Sequence, residues 1–412
     1  MSPFLFAAIA LANPEVAYDD VRSLGMGGNQ VAAISDATAV AVNPAALLAI
    51  ERFSATLGAP AAVFRATAPV AGPNDNTQTP ATAAPIPHVH VGWHPHERIA
   101  IGAGAYLLAG FGTEFQGVDR ILGYDLLEPE DYGLRFVHTE FGLATALRPH
   151  DAVDVGLAVA LPHAGMSGTQ PIFPFDAPPI STDISLEGWG GPRFRIGLNL
   201  HPHRDLVIGL VYRTVSRIPL KGEIDVPILG DLADPTRIRG TWSSPVMFAA
   251  GLAGYLDDRR TLITGTYRVQ LHSAVNESMA MTLKNPEGLI ALIAADGVEM
   301  PLGWTDAHMV RLGTERWFTE AFAGRIGGQL MKSATSPESA QFFSPPPGVA
   351  TTLSTGAGVR HGLVRVDGVT GLSWGHSDIE DSGGCTGETP VGCPGTYAAN
   401  AVHFGASVTF GR

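Results

Sequence analysis

Few side chains in this sequence are placed for covalent chemistry. Its two cysteines, Cys385 and Cys393, lie in SGGCTGETPVGCPG with seven residues between them. Two thiolates alone do not complete a structural zinc site. In an exported chain the better reading is a local disulfide, contributing roughly 2–3 kcal/mol for so short a loop; two free thiols are the alternative. Histidines recur in three Pro-His groups: His94-Pro95-His96, Arg148-Pro149-His150 and His201-Pro202-His203. Imidazoles can bind metal, yet these groups fall on separate hairpins without HExxH spacing, so turns in which proline presets φ account for them. Arg213, Arg311 and Arg325 stand with Glu315 in alternating runs whose parity turns them inward. A guanidinium there meets either a carboxylate ligand or a neighbouring acid. There is no nucleophile–base pair, phosphate loop or ligand cluster, so no catalytic residue, metal or cofactor is expected.

The elements that position these residues read as strands. The longest strongly apolar uncharged stretch, Pro3 to Ala12, is far short of the ~20 residues of a spanning helix. Glycine (49) and proline (31) are abundant, as in an all-β chain with many turns. In the final run Val402, Phe404, Ala406, Val408 and Phe410 share one face, and His403, Gly405, Ser407 and Thr409 the other. Apolar-out and polar-in is the pattern of a lipid-facing barrel strand. LVIGLVYR divides likewise, Leu206, Ile208, Leu210 and Tyr212 against Val207, Gly209, Val211 and Arg213. In MVRLGTER, Arg316 breaks the alternation. It belongs at a membrane rim, since arginine facing mid-membrane lipid costs ~2–4 kcal/mol.

Fourteen such segments can be placed after Arg52, at 52–65, 86–94, 97–109, 132–148, 151–163, 182–200, 204–222, 241–256, 260–276, 303–317, 320–333, 350–360, 362–376 and 398–410. The connections alternate. Those at 66–85, 110–131, 164–181, 223–240, 277–302, 334–349 and 377–397 are long; PHE, RPHD, HPHR, LDDRR, FTE and HG are tight. Bacterial barrels sort their loops in this way, with short periplasmic turns and long extracellular loops. The expected fold is an all-β, 14-stranded antiparallel transmembrane β-barrel. The start, MSPFLFAAIALA, ends in Ala10-Leu11-Ala12 and reads as an export signal over 1–12, although it lacks a basic leader; a short apolar strand is the alternative. The net charge of −13 argues against a nucleic-acid partner.

Before the first strand, VRSLGMGGNQVAAISDATAVAVNPAALLAI (Val21 to Ile50) carries Leu24-Gly25-Met26-Gly27-Gly28, then Asp36-Ala37-Thr38, then Asn43-Pro44-Ala45. This resembles the N-terminal plug, or hatch, of the FadL family of long-chain fatty acid and aromatic hydrocarbon transporters. IGAGAYLLAGFGTEF, EGWGGPRFRIGLNL, LVIGLVYRTVSRIPLKGEI, WTDAHMVRLGTERWF, AGRIGGQLMKSATSPES, PPP and STGAGVRHG extend the resemblance over nearly all of 21–412. Two departures stand out: the chain ends on Arg412 instead of an aromatic, and Glu315-Arg316-Trp317-Phe318 replaces a more aromatic pattern.

The resemblance implies a hatch over 13–50 inside a barrel over 51–412, in the bacterial outer membrane. It further implies a monomer that meets membrane lipid and passes hydrophobic small molecules or fatty acids. Gly25, Gly27, Gly28, Asp36, Asn43, Pro44 and Ala45 would build the hatch. In the third strand Tyr106, Gly110, Phe111 and Gly112 would mark a kink that opens the wall for sideways exit; a strand ending at a Gly-rich loop is the alternative. NPEGLIALIAADG reads as a capped helix whose Leu289, Ile290, Leu292 and Ile293 would capture greasy ligands or simply pack as a cap. A barrel serving as a non-transport interaction or secretion-shuttle subunit is the other reading of the whole. A polar-solute porin fits a hatch poorly.

Overall fold

The structure, a computed structural model, describes residues 20–28, 31–173, 178–227, 234–286, 291, 297–380, 385 and 391–411. The expected signal over 1–12 and the expected capture residues Leu289, Ile290, Leu292 and Ile293 lie outside the described residues.

Antiparallel strands close into one barrel of fourteen staves. They are β1 (Phe53–Gly58 and Ala61–Ala68), β2 (Thr82–Pro85 and His88–His96), β3 (Ile99–Ile121), β4 (Tyr124–His150), β5 (Val153–Ile172), β6 (Ile180–Trp189 and Arg193–His203) and β7 (Leu206–Arg213 and Ser216–Asp225). There follow β8 (Thr236–Ser244 and Met247–Leu256), β9 (Thr261–Gln270 and Ser278–Lys284), β10 (Val298–Pro301 and Ala307–Trp317), β11 (Phe322–Lys332), β12 (Val349–His361), β13 (Val364–Ile379) and β14 (Gly395–Gly411). Stave β14 pairs with both parts of β1, which closes the ring and leaves no free edge at the seam.

The expected tight connections are all tight, and together they form one end of the barrel. The Pro-His groups are the last residues of β2, β4 and β6, not the turns themselves. Each sits at a register shift, where proline's missing N–H costs no ladder bond. In each, the Nδ1 of the histidine after the proline accepts the backbone N–H two residues on: His96 from Arg98 (3.2 Å), His150 from Ala152 (3.1 Å), His203 from Asp205 (3.3 Å).

At the opposite, loop end the expectation needs correction. The 110–131 connection is not a loop: β3 and β4 continue as one long hairpin, turning at Leu122-Gly123. Gly110 and Gly112, which read as a strand end, pair with Val137 and Arg135 of β4, and three register shifts interrupt the hairpin beyond Tyr106. Much of the other long connections is likewise strand, as in β5, which runs to Ile172.

Several staves are interrupted, and face polarity inverts across the gap. On the turn side of β7, Leu206 and Leu210 face out while Val207, Val211 and Arg213 face in. Past Thr214-Val215, Arg217, Lys221 and Glu223 face out and Ile218, Leu220 and Ile224 face in. Stave β6 inverts in the same way, with Asp183 and Glu187 outward and Ile184 and Leu186 inward on its loop side. The apolar-out, polar-in reading therefore holds for the turn half of the barrel only. At β6 and β7 the loop half carries a charged exterior around an apolar bore.

Candidate functional site

The turn half of the bore is occupied by residues 20–28 and 31–50, which pack against inward-facing stave residues and are buried almost throughout. Asp20 caps a short helix, Val21–Leu24, accepting from the Arg22 and Ser23 amides. Gly27 lies at φ +86°, and a Cβ there would sit 2.6 Å from the Gly328 carbonyl of the wall. Only glycine meets both demands. Asn43 caps the 3₁₀ turn Pro44–Ala49: its Oδ1 accepts from Ala45 N (3.2 Å), and its Nδ2 donates to Val31 O (3.0 Å) and to Asn199 Oδ1 on β6 (2.8 Å). Gly197 on the wall makes room for that amide; a Cβ there would fall 2.0 Å from Asn43 Oδ1. The seven residues expected to build a hatch thus lie together in one segment inside the bore.

A chain of six buried charges ties this segment to the wall. Arg22 donates through Nε and Nη2 to Glu315 (2.8 Å each). Arg325 donates to Glu315 (2.6 Å) and pairs with Asp367 (2.8 Å). Arg365 donates to Asp367 (2.7 Å) and to Asp36 (2.7 Å), which returns the chain to the segment. Burial pushes the Asp36 carboxyl up, but Arg365 and Arg22 outweigh it and hold it down at about 2. Burial, with the nearby Asp36 charge, instead pushes Asp20 up to about 6. Of the arginines expected in the lumen, Arg325 pairs with an acid, Arg311 donates to Gln329 (2.6 Å), and Arg213 is buried on the inner face of β7. Arg316 is at the rim as expected, donating to Asp257 (2.7 Å).

A second cluster centres on Glu140 of β4. It accepts from Arg193 (2.8 Å), Arg195 (3.3 Å) and the Tyr106 hydroxyl (2.8 Å), and Arg195 also donates to the Val40 carbonyl of the segment (3.0 Å). Arg193 donates further to the carbonyls of Thr214 (3.0 Å) and Pro245 (3.2 Å), which the stave interruptions free from the ladder. Tyr106 therefore faces the charged bore instead of an opening. Glu140, Arg193, Arg195, Arg365 and Asp367 are absent from the expected site. Strand parity was the available signal, since each alternates with outward apolar neighbours.

Above this charged half the bore is apolar. Phe111, Phe136, Trp242 and Trp304 meet with ring centroids 4.0–6.2 Å apart. Beside Phe111 the wall is open. The last β2–β3 pair is His88–Tyr106; from Leu107 on, β3 pairs with β4 alone, and Thr82–Pro85 pairs with β1 alone. The staves meet again where Leu122 and Gly123 donate to Val70 (3.0 Å) and Ala71 (2.8 Å). The opening leads to a cleft of about 760 Å³ lined by Pro80–Ala83, Pro85 and Gly112–Glu114. Pro80, Pro85 and Pro87 supply no N–H toward β3, so TPATAAPIPH was a legible and missed signal for the gap. Stave β3 shifts register against β4 between Leu107 and Ala109. Cys385 and Cys393 are disulfide-bonded in the loop before β14.

A family model described as outer membrane protein transport protein (OMPP1/FadL/TodX) matches residues 6–410. No curated protein matches. Among solved structures, a FadL homologue from Pseudomonas aeruginosa superposes with a TM-score of 0.76 at 14% identity, covering 94% of this chain and 98% of its own. The Ralstonia pickettii toluene transporter TbuX gives 0.71 at 16%, covering 94% and 97%. The Pseudomonas putida toluene transporter TodX gives 0.70 at 14%, covering 94% and 96%. At these identities the likeness shows the barrel fold.

Proposed function

Because the chain belongs to the outer membrane transport family that includes FadL and TodX, we propose that it is a channel for passive uptake of hydrophobic small molecules. They enter the apolar loop half of the bore and leave sideways through the opening between β2 and β3. Residues 20–50 act as the hatch that bars the straight route. The observation that carries this reading is the inverted lining, an apolar bore that ends on a charged, ion-paired segment and communicates with a gap in the wall. An apolar molecule that moved from water into lipid by this path would gain ~0.8 kcal/mol per buried CH₂, so no energy source is needed. A polar-solute pore would carry a polar bore throughout.

The relatives TbuX and TodX are toluene transporters by name, so labelled toluene is the first probe and oleate the second. Cells that express the full chain should take up at least one of them several-fold faster than cells without it. Ala83→Trp, which fills the outer cleft from an exposed position, should abolish most of that gain while the barrel still assembles. Equal uptake with and without the chain, and no apolar molecule co-purifying by mass spectrometry, would sink the proposal.

A further inference from the structure

The connection between β11 and β12 does not rise over the loop end of the barrel. Its middle turns inward, and Phe342 and Phe343 are both buried. With Ser344, Pro345 and Pro346 they pack against Phe64, Ala66, Phe111, Gly112, Thr113 and Tyr397 around an enclosed space. Phe64, Gly112 and Thr113 also line the outer cleft, so the two aromatic rings stand directly behind the wall opening. Thr113 donates to the Phe342 carbonyl (3.4 Å), and Phe343 meets Phe115 of β3 edge-on at 6.3 Å. The segment thus touches β1 and β14 on one side and β3 on the other.

The segment is fastened at its foot and light at its tip. Ser339 Oγ donates to Gly303 O (3.1 Å), and Gly392 N donates to Ala340 O (2.7 Å), beside the disulfide at Cys393. A local turn binds Gln341 to Ser344, with Gln341 N donating to Ser344 Oγ (3.0 Å) and Ser344 N to Gln341 O (3.2 Å). Beyond it Pro345, Pro346 and Pro347 offer no N–H to the wall. The tip is thus held to β3 by side-chain packing, which a passing apolar molecule can replace with its own, and by one long hydrogen bond.

We infer that Phe342 and Phe343 form an inner door behind the wall opening and set the size of the molecule that passes. The inference rests on the sideways exit proposed above. It requires exchange of apolar contacts and release of the single hydrogen bond from Thr113 to Phe342.

The test uses cells expressing the full chain and three uncharged probes of rising width: benzene, naphthalene and pyrene. Phe342→Ala combined with Phe343→Ala should raise the pyrene-to-benzene uptake ratio by roughly tenfold, the scale on which pocket size discriminates between apolar ligands. Phe343→Trp should lower the ratio, and it decides the matter if the double variant does not assemble. A ratio unchanged in the assembled variants, while Ala83→Trp still blocks uptake, overturns the door and leaves the exit standing. If Ala83→Trp has no effect, the exit reading falls and the door falls with it.

Discussion

At the level of single residues, Glu315 is the pivot of the molecule's polar interior. It neutralises Arg22 of the N-terminal segment and Arg325 of the wall at once. Glu315→Gln keeps the shape and removes the charge, leaving two buried guanidinium groups short of a partner. Breaking a buried pair from one side costs about 3–5 kcal/mol, and here the cost falls on the docked segment. Residues 20–50 should become cleavable by protease, and their amides should exchange faster, while the barrel's heat-modifiable migration is unchanged. A variant segment as protected as the native one would show that packing alone holds it. The arginines were legible in part. Parity turned Arg213, Arg311, Glu315 and Arg325 inward, and all four are buried. Which acid each meets was not legible, because Glu315 and Asp367 are joined through contacts between staves and not through local spacing.

At the level of elements, the short helix opened by Asp20 is the titratable part of the segment. Its carboxyl has a raised pKa of about 6 in the folded protein, above the ~3.9 of a free aspartate. The stabilisation linked to its proton is therefore complete below about 4 and is lost as pH rises through 6. Asp36 moves the other way and loses its contribution only as pH falls toward 2, outside this window. Amide exchange over residues 20–28 should thus be slower at pH 5 than at pH 7, after correction for intrinsic rates. Asp20→Asn, which retains a cap, should flatten the difference; a difference that persists would assign the effect to another group. Among the staves, position and count were readable from alternation, whereas length was not. The run 110–131 contains glycines at 110, 112, 117 and 123, which signal a loop locally. Pairing along the whole of β4 overrides them. The opening beside β3 was hidden for a related reason, since a missing partner leaves its mark on the other stave, in the prolines of β2.

At the level of the whole molecule, the bore is divided between a plugged charged half and an apolar half. Removal of residues 20–50 should leave a charge-lined passage at the turn end, in which Arg325, Arg365, Arg193 and Arg195 still pair with wall acids. Planar-bilayer recordings should then show a steady ion conductance that the intact chain lacks. A deletion protein that folds yet stays non-conducting would place the barrier in the loops instead. The division of polarity was only half legible: the final stave announced an apolar exterior, and the outer parts of β6 and β7 reverse it.

That reversal also fixes where the barrel sits along the membrane normal. If the molecule sank toward the turn end by one pleat, about 7 Å, Arg217, Lys221, Glu223 and Glu187 would be carried toward hydrocarbon. If it rose by as much, Leu143, Leu252 and Leu312, now exposed on the turn half, would be carried toward water. Both displacements are uphill, so the protein is its own depth gauge, and the opening beside β3 keeps one height along the membrane normal whatever the loops above it do.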